Sequence, residues 1–166
     1  MTVTITPDAT SLSAALAAFK AHLRLVGSDM DCDLTQILKA AYNSAGHVIG
    51  QVVIKSVVVL EDTMSSKDGH VTLRLRGPVI SLTSVTVDGV NVTSDCTFKS
   101  GVLTIDGDYT DADVVVTYAA GWVSVPADIQ NAVFLIGASL FANPLDSVEV
   151  LPKASAMLLR PYRWEG

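Results

Sequence analysis

The sequence predicts an α+β protein: an N-terminal helix pair and a long C-terminal helix forming a helical bundle, with an inserted small antiparallel β-sheet or barrel. Two observations carry this prediction. Apolar residues recur with helical spacing over residues 11–45 and again after Pro126, whereas between residues 50 and 122 they recur at every second position. Within that middle stretch Asp88-Gly89, Ser100-Gly101 and Asp106-Gly107 supply turn residues at short intervals, as in a meander of short strands. The reading is one domain over 1–166, helical over 11–48 and 126–160, with the β insertion at about 50–122.

The first helix is expected over 11–25. Leu12, Leu16, Phe19 and Leu23 fall on one face, Lys20, His22 and Arg24 crowd the end where cations suit the helix dipole, and Gly27 breaks the run. A second helix is expected over 33–45, with a broad stripe of Leu34, Ile37, Leu38, Ala41, Tyr42 and Ala45. Asp33 and Gln36 have the spacing of a capping box, and Gly46 is a natural stop. The short link between the two predicts an antiparallel pair.

In the middle, residues 52–60 are almost continuously β-branched, which suits a strand buried on both faces. Val71, Leu73 and Leu75 alternate with Thr72, Arg74 and Arg76, so one face of that strand meets water. Val85 and Val87, then Asp88-Gly89, then Val90 and Val92 spell a hairpin. Residues 114–118 form the last strand, giving five or six in all.

Pro126 suits the first turn of a third helix and Asp128 its positive end. Ile129, Val133, Ile136 and Leu140 line one side; Phe134, Leu135, Ala138 and Phe141 line another. A helix apolar nearly all round needs cover on several sides, and in so small a chain a second copy is the expected cover. Ile129, Val133, Phe134, Ile136, Leu140 and Phe141 are therefore the candidate subunit interface. Asn143-Pro144 ends the helix, and a tail over 150–166 follows.

Composition supports the oligomer. Of 166 residues 49% are hydrophobic and 17% charged, against roughly 25% charged in an average soluble domain, and the mean hydropathy is +0.43. The long charge-free run at 129–145 contains Gln130, Asn131, Ser139, Asn143 and Pro144. It falls short of the about 20 apolar residues of a membrane span. Residues 1–8 lack the basic and apolar regions of a signal peptide. The expectation is a soluble protein, made inside the cell, with apolar surface to hide and no membrane partner. A net charge of −6 opposes wrapping of nucleic acid, whose affinity comes from cations on phosphates. Cys32 and Cys96 form no CxxC pair and read as reduced thiols.

The candidate chemistry is thin. Asp29, Asp31 and Asp33 alternate as in a calcium loop, but Leu34 and Ala40 stand where an EF-hand needs Gly and Glu. Asp106, Asp108, Asp111 and Asp113 are explained as turn residues. His22, His47 and His70 are far apart, and neither a nucleophile elbow nor a phosphate-binding glycine loop occurs. No enzyme activity, metal or cofactor is expected.

Several stretches carry a resemblance. Residues 19–25 read Phe-Lys-Ala-His-Leu-Arg-Leu, and Asp31, Asp33, Leu34, Ile37, Ala40 and Ala41 follow in the second helix. Arg76-Gly77-Pro78-Val79 precedes Val85-Thr86-Val87-Asp88-Gly89. Val116-Thr117-Tyr118-Ala119-Ala120-Gly121-Trp122 leads to Val125-Pro126-Ala127-Asp128-Ile129, and the chain closes on Met157-Leu158-Leu159-Arg160-Pro161-Tyr162-Arg163. In this order they resemble the head–tail connector (adaptor) family of long-tailed phages and gene transfer agents. Departures fall at residues 46–50 and 141–144.

The resemblance implies a structural virion protein at the neck, made in a bacterial host cytoplasm. It implies a ring, usually a dodecamer, between the portal and the tail or a head-completion (stopper) protein. DNA would pass through the lumen without specific binding, and acidic walls would repel phosphate. The tail's Leu158, Leu159, Arg160, Tyr162, Arg163 and Trp164 combine the residue types that carry interface energy. They are the candidate portal-binding segment, left extended by Pro161; the alternative is a tail that folds back and packs on its own domain. Two other classes compete: another neck or tail ring protein, such as a tail terminator or head-completion protein, and a β-rich binding module, for which only Trp122 and Trp164 offer stacking platforms.

Overall fold

In the computed structural model, which describes residues 1–143 and 152–164, the chain divides into two compact units. One is built of strands (Met1–Thr6 and Ser56–Gly121), the other of helices (Pro7–Lys55 and Trp122–Gly166). The α+β class agrees with the sequence pattern, but the strand unit also takes in the N-terminal Met1–Thr6.

The helical unit contains α1 (Ala9–Leu23), α2 (Asp31–Ile49), α3 (Ala127–Ala142) and α4 (Lys153–Leu159). Asp8 caps α1, its carboxylate accepting from the Ser11 N–H at 3.0 Å and the Ser11 hydroxyl at 2.9 Å. The helix ends earlier than Gly27 suggested. Arg24 adopts the left-handed conformation, and the Leu25 N–H donates to the Lys20 carbonyl. The Lys20 ammonium reaches forward to the Gly27 carbonyl and the Asp31 carboxylate, clasping the turn into α2.

Two expectations for α2 need correction. It starts two residues before Asp33, at a Met30 cap without a side-chain bond, so Asp33 and Gln36 make no capping box; Asp31 and Asp33 instead sit in the first turn, at the positive end of the helix. Gly46 does not stop it. The helix runs on to Gly50, whose left-handed φ of 72° closes it. Gly46 is needed for a different reason: a Cβ there would lie 2.8 Å from the Gln51 carbonyl oxygen as the chain turns back.

α3 packs on α1, α2 and α4. Its buried residues join Phe19, Leu34, Leu38, Tyr42, Ile49 and Leu159 in one apolar cluster. The Phe19 and Phe134 rings meet at 5.4 Å between centroids, tilted by 38°. Phe19 can lie across α3 because position 137 is glycine.

The β unit begins with a strand that the sequence reading passed over, β1 (Thr2–Pro7), whose alternation of threonine with Val3 and Ile5 was its signal. β2 (Ser56–Met64), β3 (His70–Arg74), β4 (Val79–Val87), β5 (Val90–Asn91), β6 (Cys96–Lys99), β7 (Val102–Asp106) and β8 (Ala112–Ala120) follow. They form a five-stranded sheet in the order β1-β2-β8-β4-β5 and a three-stranded sheet in the order β3-β7-β6. β2 and β4 flank β8 antiparallel, with Val58 opposite Tyr118 and Val87 opposite Val114. Asp88-Gly89 joins β4 to β5, and Ser100-Gly101 joins β6 to β7. All four turn residues have positive φ, as two-residue hairpins with right-handed twist require.

Residues 52–60 are not one strand buried on both faces. Val52, Val53 and Ile54 are buried in the helical unit. β2 starts at Ser56 and alternates, with Val58 and Leu60 inside and Val57 47% exposed. Val71, Leu73, Leu103 and Ile105 form the buried face of the smaller sheet; Leu60, Val85, Val116 and Tyr118 lie on that of the larger. The Tyr118 hydroxyl accepts from the Arg76 N–H at 3.1 Å, tying the larger sheet's inner face to the chain leaving β3.

Candidate functional site

Of the two readings of the C-terminal segment, an extended arm and a tail folded back on its own domain, the described residues show the second. Leu159, the last residue of α4, is fully buried in the helical core, and Leu158 and Tyr162 pack against the same cluster. Residues Arg160–Tyr162 form a 3-10 turn that includes Pro161. The Trp164 N–H donates to the Ile49 carbonyl at 2.9 Å, and the Gln51 side-chain amide donates to the Tyr162 carbonyl at 3.3 Å. The segment is held by several contacts together: Leu159, Leu158 and Tyr162 bury apolar surface in one cluster, and the Trp164 and Gln51 bonds satisfy backbone groups at its end. Of the six candidate portal-binding residues, Arg160, Arg163 and Trp164 stay exposed; Met157 beside them is 76% exposed. These four present two guanidinium forks, a thioether and an indole on one short stretch. Residues 144–151, 165 and 166, including Pro144 of the expected helix stop, lie outside the described residues.

The candidate interface on α3 divides as well. Ile129, Val133, Phe134 and Ile136 are buried by the chain's own helices, while Leu140 and Phe141 are only half-buried. The all-round apolarity of α3 is therefore met largely within one chain, by α1, α2 and α4. Of the six candidates, Leu140 and Phe141 near its C-terminal end are the ones left accessible to a neighbouring copy.

A shallow groove on the helical unit is lined by Ala14 and Ala18 of α1, Tyr42, Gln130, Trp122 and Val123. At its base the Tyr42 hydroxyl and the Gln130 amide are hydrogen-bonded at 3.2 Å. Burial pushes the Tyr42 phenol above its ordinary pKa, so it stays protonated and serves as a structural bond.

The carboxylates of the β unit bond within loops and across strands, and Asp113, expected as a turn residue, lies in β8 directly opposite Thr63 of β2. The Asp88 carboxylate accepts from the Asp113 N–H at 2.8 Å, the Asp113 carboxylate from the Thr63 hydroxyl at 2.9 Å, and the Asp111 carboxylate from the Ser65 hydroxyl at 3.0 Å. Among the described residues no three of His, Cys, Asp or Glu are grouped to hold a metal ion. The Cys96 thiol donates to the Val92 carbonyl, and burial, with Asp95 and Asp106 nearby, pushes its pKa up, away from the reactive thiolate.

Charge is unevenly shared. The β unit carries nine carboxylates against four lysines and arginines, five of the chain's six net negative charges, whereas the helical unit is nearly neutral in sequence. Composition alone gave the total; only the fold assigns it to the strands.

The fold is that of an α+β protein with one unit of strands and one of helices. The same fold occurs in solved structures of gene transfer agent (GTA) particles. A chain in the neck of an empty GTA particle, computed with C6 symmetry, superposes with a TM-score of 0.73 at 21% identity over 98% of this chain and 95% of that one. A chain in the virion of a native GTA particle gives 0.74 at 21% identity, over 98% and 95%. A chain in the neck of a native GTA particle, computed with C12 symmetry, gives 0.75 at 19% identity, again over 98% and 95%. No protein-family model matches the sequence, and no curated protein matches it. At these identities the shared property is the fold. Among the described residues no helix is long and apolar enough to cross a membrane.

Proposed function

We propose that this chain is a head–tail adaptor: a structural virion protein that forms a ring, of twelve copies, in the neck between portal and tail. The observation that carries this reading is the fold, shared over 98% of the chain with chains of GTA necks, one of them computed with C12 symmetry. The order of motifs from Phe19 to Arg163 supports the same family independently of the coordinates.

Each part of the surface has a role in this reading. The exposed Arg160, Arg163 and Trp164 dock on the portal. Leu140 and Phe141 lie against a neighbouring copy. The acidic β unit keeps DNA from adhering as it passes, because a wall of carboxylates offers phosphate no counterion release. The role is structural rather than catalytic. Native mass spectrometry of the purified protein, alone and mixed with portal, tests it. A single closed species, or a stoichiometric complex of one ring per portal, is expected; a monomer that ignores portal at every concentration overturns it.

A further inference from the structure

The described strands leave four sheet edges: β1 and β5 on the larger sheet, β3 and β6 on the smaller. An open edge is a template for pairing with another chain, and folded proteins usually blunt it by shortness, charge or proline. β5 is two residues long, and β3 carries His70 and Arg74 at its ends. β1, Thr-Val-Thr-Ile-Thr-Pro, has no charge along its length. β6, Cys-Thr-Phe-Lys, has its one charge at the hairpin turn and leaves Phe98 39% exposed.

The phase of each open edge follows from its known bonds. The Met1 amine lies 2.8 Å from the Asp62 carboxylate, and the Asp8 N–H donates to the Lys55 carbonyl at 2.9 Å, so β1 runs antiparallel to β2. In an antiparallel strand, residues two apart turn their N–H and C=O to the same side. With Asp8 aimed at the β2 side, Thr2, Thr4 and Thr6 bond inward, and Val3 and Ile5 face the open edge. Pro7 also falls on the open side, where a missing N–H costs the ladder nothing. In β6, the two-residue turn makes Lys99 and Val102 the pair that exchanges bonds, so Thr97 also bonds inward and Cys96 and Phe98 face out. Each open edge thus presents two N–H groups, with the carbonyls of the same residues, at the same spacing, and Pro7 adds one further carbonyl to the β1 edge.

We infer that β1 of one copy pairs with β6 of the next, so that a β-ladder crosses each subunit boundary of the ring. The two edges differ, so the contact is heterologous and propagates round a circle instead of stopping at a dimer. This inference rests on the ring assembly proposed above and names the surface that makes it.

The experiment uses the full chain with Ile5→Pro and Phe98→Pro, each removing one outward N–H, and Thr4→Pro as a control that removes an inward one. Ring formation is read by native mass spectrometry and folding by thermal melting. Ile5→Pro and Phe98→Pro should melt close to the unmodified protein yet fail to assemble, whereas Thr4→Pro should lower the melting temperature. Rings from either outward variant, at the concentration where the unmodified protein forms them, overturn the inference. If a proline variant unfolds, amide exchange in the unmodified protein decides: slowing of at least about tenfold at Val3, Ile5, Cys96 and Phe98 on assembly supports the ladder, and unchanged exchange overturns it. Absence of any ring from the unmodified protein, with portal present, overturns the ring reading itself and is distinguishable from both outcomes.

Discussion

Replacing Gly137 with alanine tests the packing of the helical core, because two effects of opposite sign meet there. In the middle of a helix, Gly→Ala ordinarily stabilises by roughly 0.5–1 kcal/mol through lost backbone freedom in the unfolded chain. At position 137, however, the new Cβ would lie 2.8 Å from Cζ and 3.0 Å from Cε2 of Phe19. The Phe19 ring is fully buried and held against Phe134, so it has nowhere to retreat. Overpacking a tight core costs typically about 1–3 kcal/mol, which exceeds the propensity gain. A net loss of about 1–2 kcal/mol follows, or roughly 2–8 °C in melting temperature for a chain of this size. Thermal melting followed by far-ultraviolet circular dichroism reads it. In a Phe19→Leu background the clash is relieved and Gly137→Ala should become neutral or stabilising, a reversal that a general loss of helix structure would not give. A melting temperature raised by Gly137→Ala in the unmodified background would refute the proposed contact.

Other surfaces give further predictions. Bonds from the Ser11 N–H and hydroxyl hold the Asp8 carboxyl below the ordinary carboxylate range, so its stabilisation of α1 is full above about pH 4 and is lost as pH falls through the depressed value. Asp8→Asn caps without titrating, and melting temperatures measured between about pH 2 and 5 should fall less steeply for it than for the unmodified protein. Arg160→Glu with Arg163→Glu should leave the melting temperature unchanged, since both side chains are exposed, while weakening capture by immobilised portal; undiminished capture removes these residues from the dock. Duplex DNA should bind weakly at physiological salt, measured by fluorescence anisotropy, and tight binding with a steep salt slope would contradict the acidic-channel reading.

Much of the fold was legible because its signals are local. The hairpins at Asp88-Gly89 and Ser100-Gly101 are dictated by turn residues that tolerate positive φ, and the faces of α1 and α2 by apolar spacing. What escaped depends on distant partners. Gly46 looks like a helix stop, yet it is a close-approach glycine facing the Gln51 carbonyl, and only the returning chain reveals that. Residues 52–60 are apolar except for Lys55 and Ser56, and that two-residue break, easily taken as a minor interruption of one strand, is where the chain leaves the helical unit and begins an alternating strand. The surfaces were less legible than the fold. An all-round apolar α3 predicts cover without saying whose, and four of its six candidate contact residues are covered by the same chain. The tail's aromatic and arginine content was visible, but Leu159 as its anchor was not, since burial is a property of the cleft between helices rather than of the segment.

The central claim, a neck ring seated on a portal, is tested most directly by electron microscopy of the purified protein mixed with portal. The account predicts class averages of a closed ring with twelvefold rotational symmetry, coaxial with the portal and open along its axis. Subunits scattered singly on the portal, an assembly without rotational closure, or a ring with no axial channel would contradict it.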